Sequence, residues 1–196
     1  MKKIVALMAT SALMLGAHAE NWEVRIRALD VVPLTRTYDS NLRSAGLDVK
    51  NDVIPEVDFT YFINPHLGTE LILGTSRHKV DLGGAQLGHV DVLPPTLTLQ
   101  YHFLPESQLV RPYLGAGVNY TRFYAGSFAN GLYTTRQSFG PALQAGLDIP
   151  VSSYGYLNFD VKKLWAGTQV RAPGDVIVTH LRIDPMVWGL GYGIRF

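Results

Sequence analysis

The sequence predicts an all-β protein, an eight-stranded antiparallel transmembrane β-barrel. Three observations lead to this prediction. Apolar and polar residues alternate in eight segments, short and long connections follow one another in turn, and aromatic residues cluster near the predicted strand ends. An even number of strands with tight turns at one end and long loops at the other is typical of outer-membrane barrels. The sheet must close, because an open edge in lipid would leave backbone groups without hydrogen-bond partners.

The N-terminus predicts a signal peptide over residues 1–19, so that residues 20–196 form the mature barrel. Two lysines precede an apolar run from Ile4 to Ala17, and Ala17-His18-Ala19 has the small-x-small pattern of a cleavage site. The run is shorter than the ~20 apolar residues that a membrane-spanning helix requires. The protein is therefore predicted to be exported and to reside in the bacterial outer membrane.

In each of the eight segments, apolar side chains recur at every second position, as expected of strands with one face toward lipid. The fourth segment is the clearest, since Leu97, Leu99 and Tyr101 alternate with Thr98 and Gln100. The segments are residues 22–32, 56–63, 67–75, 96–103, 111–124, 139–148, 157–162 and 188–196. The predicted turns, at 64–66, 104–109 and 150–153, are short, whereas the predicted loops, at about 34–51, 76–93, 125–136 and 166–178, are long.

A soluble β-sandwich would show similar alternation, but with its apolar face packed inside and its polar face in water. The alternating connection lengths and the aromatic residues near the strand ends favour the barrel. The C-terminus agrees with this choice, since Trp188, Tyr192 and Phe196 share one face of the last segment. A terminal phenylalanine after such a pattern is the usual assembly signal of barrels handed to the barrel assembly machinery, so we assign that role to Phe196.

Composition narrows the function classes. The chain has 196 residues, no cysteine, and 17 basic against 16 acidic side chains. The lack of cysteine excludes thiolate metal sites, disulfides and a cysteine nucleophile. A near-neutral charge without a basic block argues against nucleic-acid binding. The barrel prediction itself implies outer-membrane lipid and the barrel assembly machinery as partners.

The polar faces of the strands place charged side chains in the lumen. An eight-stranded barrel is just wide enough for its own side chains. We therefore predict an interior filled by an ion-pair network, and no continuous aqueous channel. Ten residues, six acidic and four basic, are predicted to form the network: Glu23, Arg25, Arg27, Glu56, Asp58, Glu70, Asp148, Asp160, Lys162 and Arg195.

Some eight-stranded outer-membrane barrels are enzymes, and a catalytic site of this kind requires particular residues. A Ser-His site needs a serine within reach of an oriented histidine. No G-x-S-x-G elbow occurs, His66 and His102 lie near the periplasmic end, and the histidines of the outer loops have no obvious serine partner. The sequence predicts no enzyme, no cofactor and no metal site.

Three stretches resemble the OmpW family. Leu93-Pro94-Pro95-Thr96-Leu97 resembles its LPPTL signature, and residues 111–121, which read RPYLGAGVNYT, resemble a strand of that family. Arg182-Ile183-Asp184-Pro185 followed by the terminal GYGIRF is similar to the family's ending. The resemblance implies an eight-stranded outer-membrane barrel associated with passive uptake of small hydrophobic molecules. A non-transporting barrel whose outer loops bind partners is the alternative.

Prolines on descending strands suggest how an apolar solute could leave the barrel. Proline lacks the N–H of a strand ladder and is normally excluded from central strands. Pro55 and Pro141, with the neighbouring Ala142, are the predicted lateral window in the wall, although prolines that only mark strand beginnings would give the same pattern. Apolar loop residues form the predicted hydrophobic entrance: Leu42, Leu47, Leu82, Leu87, Phe128 and Leu132.

Overall fold

A computed structural model describes residues 21–34, 36–37, 44, 47–49, 51–128, 133–134, 137–174 and 176–196. The predicted signal peptide lies outside these residues, as do Leu42 and Leu132 of the predicted entrance. The strands of the described part are β1 (Trp22–Val32), β2 (Arg36–Thr37), β3 (Leu47–Val49), β4 (Asp52–Asn64), β5 (Leu67–Gly74), β6 (Ser76–Leu82), β7 (Ala85–Leu93), β8 (Thr96–His102), β9 (Arg111–Phe128), β10 (Tyr133–Thr134), β11 (Gln137–Pro150), β12 (Gly155–Leu164), β13 (Gly167–Ala172), β14 (Val176–Arg182) and β15 (Met186–Arg195).

Eight of these strands close into a ring. β1, β4, β5, β8, β9, β11, β12 and β15 pair antiparallel in that order, and β15 pairs with β1. The closing ladder runs from Glu23 opposite Arg195 to Val32 opposite Met186. The predicted eight-stranded antiparallel barrel is confirmed, and its termini meet at the end that carries the short turns.

Backbone hydrogen bonds join the two ends of the barrel chain. The Trp22 N–H donates to the Phe196 carbonyl at 3.1 Å, and the Phe196 N–H donates to the Trp22 carbonyl at 2.8 Å. The terminal residue therefore completes the closing ladder, in the position where the sequence places the predicted assembly signal.

The regions predicted as long loops also contain strands, which the sequence analysis missed. β6 and β7 form a hairpin that turns at Gly83 and Gly84, whose φ angles of 59° and 84° favour glycine. This hairpin pairs with the extended outer part of β9 and with β3. A second small sheet has the order β10-β13-β14-β2. Above the apolar band a strand no longer needs an apolar outer face, so the alternation that identified the other strands fades there.

The barrel is apolar outside and polar inside. On β4, Phe59 is 40% exposed toward lipid, whereas its neighbour Asp58 is fully buried. The largest fully buried side chains include Arg25, Arg27 and Gln100 rather than aliphatic residues. This inverted arrangement is the one expected of a barrel solvated by lipid. No helix among the described residues is long and apolar enough to cross a membrane.

Glycines on the lumen face of β15 make room for the charged interior. A Cβ atom at Gly191 would collide with the Ile26 carbonyl and with the Arg27 side chain, and one at Gly193 would collide with the Tyr156 ring. Glycine at these positions lets the long side chains of the opposing strands cross the lumen beside the β15 backbone.

Candidate functional site

The middle and periplasmic part of the lumen is filled by nine charged side chains, which we call the polar plug. Alternate positions of β1, β4, β5, β11 and β12 point inward, which brings together residues far apart in sequence. No member is more than 5% exposed. The members are Glu23, Arg25, Arg27, Glu56, Asp58, Glu70, Asp148, Asp160 and Lys162. The tenth predicted residue, Arg195, lies with its guanidinium carbon 3.8 Å from the centre of the Phe62 ring.

Arg27 lies at the centre of the polar plug. Its Nη1 lies 2.9 Å from both Glu56 Oε1 and Asp58 Oδ2, and its Nη2 lies 3.0 Å from Glu70 Oε1. The Nε donates to Asn158 Oδ1 at 2.7 Å. The planar fork of a guanidinium allows one side chain to hold several acceptors at once.

Two further cations extend the network to both sides of Arg27. Arg25 Nη2 lies 2.8 Å from Glu70 Oε1 and 3.1 Å from Glu23 Oε1. Lys162 Nζ lies 2.6 Å from Glu56 Oε1. Because Glu70 contacts both arginines, and Glu56 contacts Arg27 and Lys162, the network runs unbroken across the lumen.

Neutral side chains complete the plug, and the sequence analysis missed them because it considered charged residues only. Gln144 Nε2 donates to Glu70 Oε2 and to Asp160 Oδ2, both at 2.8 Å. Gln100 Nε2 donates to Glu70 Oε2 at 2.7 Å, and the Tyr113 hydroxyl donates to Asp160 Oδ2 at 2.8 Å. The alternation of residues along β8 and β11 already placed Gln100 and Gln144 on the inward face. The plug thus fills the lumen with side chains that bond to one another.

Above the polar plug, toward the outer end, the lumen becomes apolar. We call this region the apolar chamber, because most of its buried walls are apolar: Leu29, Val31, Ile54, Ile72, Val92, Phe123, Leu164, Ala166, Ile183 and Val187. Four buried polar residues also line it: Ser76, His78, Thr96 and Thr121. Glu56 and Lys162 of the plug reach its lower edge, and it encloses a cavity of about 50 Å³. The switch could have been read from the sequence, since the inward positions change from Arg27 to Leu29 within one strand.

One wall of the apolar chamber contains a break in pairing, which we call the Pro55 seam, between residues 52–55 and residues 75–79. The β4–β5 ladder ends at Glu56 opposite Gly74, and pairing resumes at Val49 opposite Val80. Between these two pairs, seven residues separate Val49 from Glu56 but only six separate Gly74 from Val80. A regular ladder therefore cannot run from one pair to the other. On its other edge, Pro55 stays in register opposite Ala28.

The contacts at the Pro55 seam involve a side chain and leave space inside. Asp52 Oδ2 accepts the backbone N–H of Arg77 at 2.8 Å. A Cβ atom at Gly74 would lie 3.6 Å from the Ile54 side chain and from the Pro55 carbonyl, which is ordinary contact. The inner mouth of the seam therefore accepts a methyl group without a collision.

The wall at Pro141 is built differently. The β11–β12 ladder ends at Ala142 opposite Leu164, and the Trp165 N–H then donates to the Pro141 carbonyl at 3.2 Å. Asn119 Nδ2 donates to the carbonyls of Gly140, Pro141 and Trp165 at 3.1, 3.0 and 3.2 Å. We call this bridged region the Pro141 seam. Of the two predicted window positions, Pro141 is bridged by a buried amide, and Pro55 lies in the break in pairing.

The predicted entrance residues within the described part lie on the strands that rise beyond the barrel. The backbone of Leu47 in β3 pairs with that of Leu82 in β6. Leu87 lies in β7, and Phe128, at the end of β9, pairs with Gly88. The structure therefore places these backbones on the sheet above the apolar chamber. Leu82 and Leu87 belong to the β6–β7 hairpin, and Leu47 and Phe128 lie on the strands that flank it.

Comparison with known proteins gives a consistent picture. The model of the OmpW family matches residues 21–196. An uncharacterized outer-membrane protein, y4mB of Sinorhizobium fredii, is 37% identical over 183 residues, which cover 89% of this chain and 80% of that protein. The dibenzothiophene metabolism operon protein PahQ of Pseudomonas aeruginosa is 31% identical, covering 92% of this chain and 90% of its own length. The crystal structure of OprG from Pseudomonas aeruginosa superposes with a TM-score of 0.75 at 25% identity, covering 92% of this chain and 98% of OprG.

Proposed function

Because this chain belongs to the OmpW family, we propose that it is a passive channel for small hydrophobic molecules crossing the outer membrane. The resemblance inferred from the sequence motifs is confirmed, and so is the outer-membrane location. The observation that carries the proposal is the apolar chamber, which lies in the outer part of the lumen and is closed below by the polar plug. A chamber of aliphatic walls stabilises an apolar solute by removing its surface from water, at roughly 25 cal/mol per Å².

The polar plug argues against a straight path to the periplasm. An apolar solute passing through it would separate buried ion pairs, and breaking such a pair typically costs about 3–5 kcal/mol. The route we propose therefore turns sideways, from the apolar chamber into the outer leaflet. Lipid is as apolar as the chamber, so this step needs no energy source.

The Pro55 seam is the proposed exit. Its pairing is broken at chamber height, its inner edge has space beside Gly74, and Val53 on its outer face is 72% exposed. A stretch of wall without regular ladder pairing opens more easily than a continuous ladder, because fewer backbone hydrogen bonds hold its two borders together.

The charge of the polar plug also bears on the class of solute. The two plug residues at the floor of the apolar chamber, Glu56 and Lys162, pair with each other at 2.6 Å, so the cation at the floor is already neutralised by a carboxylate. Such a floor disfavours solutes that carry a carboxylate of their own. We propose neutral apolar solutes, including flat aromatic ones. The relative whose name refers to dibenzothiophene metabolism is consistent with that class.

The proposal is tested by uptake of labelled naphthalene and of naphthoate, its acidic counterpart, in cells with and without the protein. We expect faster uptake of naphthalene alone. A Gly74→Leu variant should return uptake to the level of cells without the protein, because the new side chain fills the inner mouth of the Pro55 seam. Ala142→Leu is the comparison variant, since Ala142 is a buried small residue of the Pro141 seam that packs behind Leu29 and Leu164 without lining the cavity itself.

The outcomes separate the parts of the proposal. Equal loss of uptake in both variants would overturn the exit at Pro55 while leaving hydrophobic uptake intact. Equal naphthalene uptake with and without the folded wild-type protein would overturn the transport function and favour a barrel whose outer loops bind partners. Folding of each variant is checked by its heat-dependent shift in detergent electrophoresis.

A further inference from the structure

The outer wall of the barrel carries charge at one height only. On the lipid-facing positions of the eight barrel strands, within the part of the chain that the structure describes, charged residues are confined to the outer end: Asp30, Arg122 and Lys163. Elsewhere these positions are predominantly apolar or aromatic, as lipid requires. The charged positions therefore mark the level at which lipid chains give way to headgroups.

Basic residues on three neighbouring strands lie together at this level. Arg77 and Lys79 are on β6, His89 is opposite Lys79 on β7, and Arg122 is on β9 opposite Leu93. Arg77, Lys79 and Arg122 are exposed, and we call these three residues the outer basic patch. Immediately beneath it, toward the membrane, the exposed side chains are apolar or aromatic: Leu73, Leu93, Leu97, Val118 and Tyr120.

Two acidic residues flank this surface: Asp81 lies two positions beyond Lys79 on β6, and Asp91 lies opposite Arg77, with which it is paired. Arg77 Nε and Nη2 donate to the two carboxylate oxygens of Asp91 at 2.6 and 2.7 Å. This hydrogen bonding holds the pKa of Asp91 below its usual range. Arg77 and Asp91 balance each other in charge, so the positive charge of the patch rests with the exposed Lys79 and Arg122. Excess positive charge in the plane of the headgroups calls for an anionic partner.

The spacing suits a phosphate-bearing headgroup. Neighbouring strands lie ~4.8 Å apart and residues two positions apart on a strand lie ~6.7 Å apart, so the three basic side chains leave the backbone within roughly 15 Å of one another. Arginine holds a phosphate through two parallel N–H bonds, and lysine provides a point charge beside it. A single phosphorylated lipid can thus be contacted from two strands.

We propose that the outer basic patch binds the phosphate groups of an anionic glycolipid in the outer leaflet. This site lies on the opposite side of the wall from the apolar chamber, and the inference does not depend on solute transport. Because β6 is also one border of the Pro55 seam, a lipid held by Arg77 and Lys79 would lie beside the proposed exit.

The test is native mass spectrometry of the full chain in nanodiscs of phosphatidylcholine that contain a small fraction of diphosphoryl lipid A. Each basic residue near a membrane surface contributes about 1 kcal/mol to anionic lipid binding, or about five-fold in affinity. The double substitution Lys79→Gln/Arg122→Gln should therefore weaken lipid A retention about 25-fold. Arg77 is left unchanged, since its loss would also release Asp91.

Arg111→Gln is the control, because Arg111 lies at the opposite, periplasmic end of β9, the strand that carries Arg122, and its Nε donates to the Ser107 backbone carbonyl at 2.9 Å. It should retain lipid A as the wild type does. Equal retention by the double variant and the wild type would overturn the proposal. Equal retention of phosphatidylglycerol and lipid A by the wild type would also overturn it, since general attraction of anions would then explain the binding.

Discussion

The Pro55 seam and the Pro141 seam begin from the same backbone chemistry and differ in how the surrounding residues respond. Each proline lies just beyond the last ladder pair on one side of its strand, at Glu56–Gly74 and Ala142–Leu164 respectively. At Pro141, Asn119 and the Trp165 backbone bridge the two strands. At Pro55, the pairing changes register, and a bond from the Arg77 N–H to the Asp52 carboxylate crosses the break.

This difference shows that a proline in a barrel strand has no fixed consequence for the wall. The missing donor matters only if no other group reaches the exposed carbonyls. Asn119 can do so because it is fully buried on the lumen face, and because its own Oδ1 is fixed by a hydrogen bond from the Thr121 hydroxyl at 2.8 Å. The Pro141 seam is therefore part of the structural wall, and the Pro55 seam is the part we expect to open.

The largest contrast is expected from adding a methyl group at each seam. A Cβ atom at Gly140 would collide with the Trp165 carbonyl, whereas one at Gly74 would make only ordinary contacts. Gly140→Ala should therefore lower the stability of the barrel by about 1–3 kcal/mol, the usual cost of overpacking, or prevent assembly. Gly74→Ala should change it by less than about 0.5 kcal/mol.

The measurement is the temperature at which the folded band is lost in detergent electrophoresis, supported by urea unfolding in lipid vesicles. Both variants replace glycine by alanine, so they share the same change in backbone entropy. Equal losses of stability would contradict the distinction between a tightly packed seam and one with free space.

An effect of similar size on stability is expected from removing the bridge at the Pro141 seam. Asn119→Ala takes away the amide that serves three carbonyls, and leaving such buried groups unsatisfied costs about 1–3 kcal/mol. The rate of hydrogen exchange should rise at the Trp165 amide, because Asn119 holds the two strands together where this amide donates to the Pro141 carbonyl. Asn119→Ala should also admit naphthalene through a second exit, so that Gly74→Leu no longer abolishes uptake. If exchange at Trp165 is unchanged, Asn119 does not hold the seam closed.

The sequence predicted the barrel and the plug well because both depend on a period of two. Inward positions such as Arg25, Arg27 and Glu70 followed directly from alternation, which is set by strand geometry. The seams could not be predicted in this way. Whether Pro141 is bridged depends on Asn119, a residue from another strand, and on the register that brings Trp165 beside Gly140. Register between strands is a property of the closed sheet, and no single segment determines it.

The bond that crosses the Pro55 seam offers a third comparison. Asp52→Ala removes the acceptor of the Arg77 N–H, and a typical hydrogen bond contributes about 1 kcal/mol. Naphthalene uptake should rise because the border formed by β6 is freer to move, while the wall at Pro141 stays closed. Asp52→Asn keeps an oxygen acceptor at the same place and should behave like the wild type. An unchanged uptake rate in Asp52→Ala would show that this bond does not limit opening.

The smallest expected effect is a pH dependence of the β6–β7 hairpin that borders the Pro55 seam. Hydrogen bonds from Arg77 hold the pKa of Asp91 below its ordinary value of about 3.9. A carboxyl group whose pKa is lowered in the folded state stabilises the fold at every pH above its pKa in the unfolded chain. This contribution is lost as the pH falls through its pKa in the folded protein.

Because the Arg77 side chain is 66% exposed, the contribution should not exceed about 1 kcal/mol. Because acid acts on the rest of the protein as well, the measurement is the difference in stability between the wild type and Asp91→Asn. That difference should be constant from pH 7 to about 5 and shrink below about pH 4. A difference that stays constant down to about pH 2 would contradict the role of the Arg77–Asp91 pair at this border of the seam.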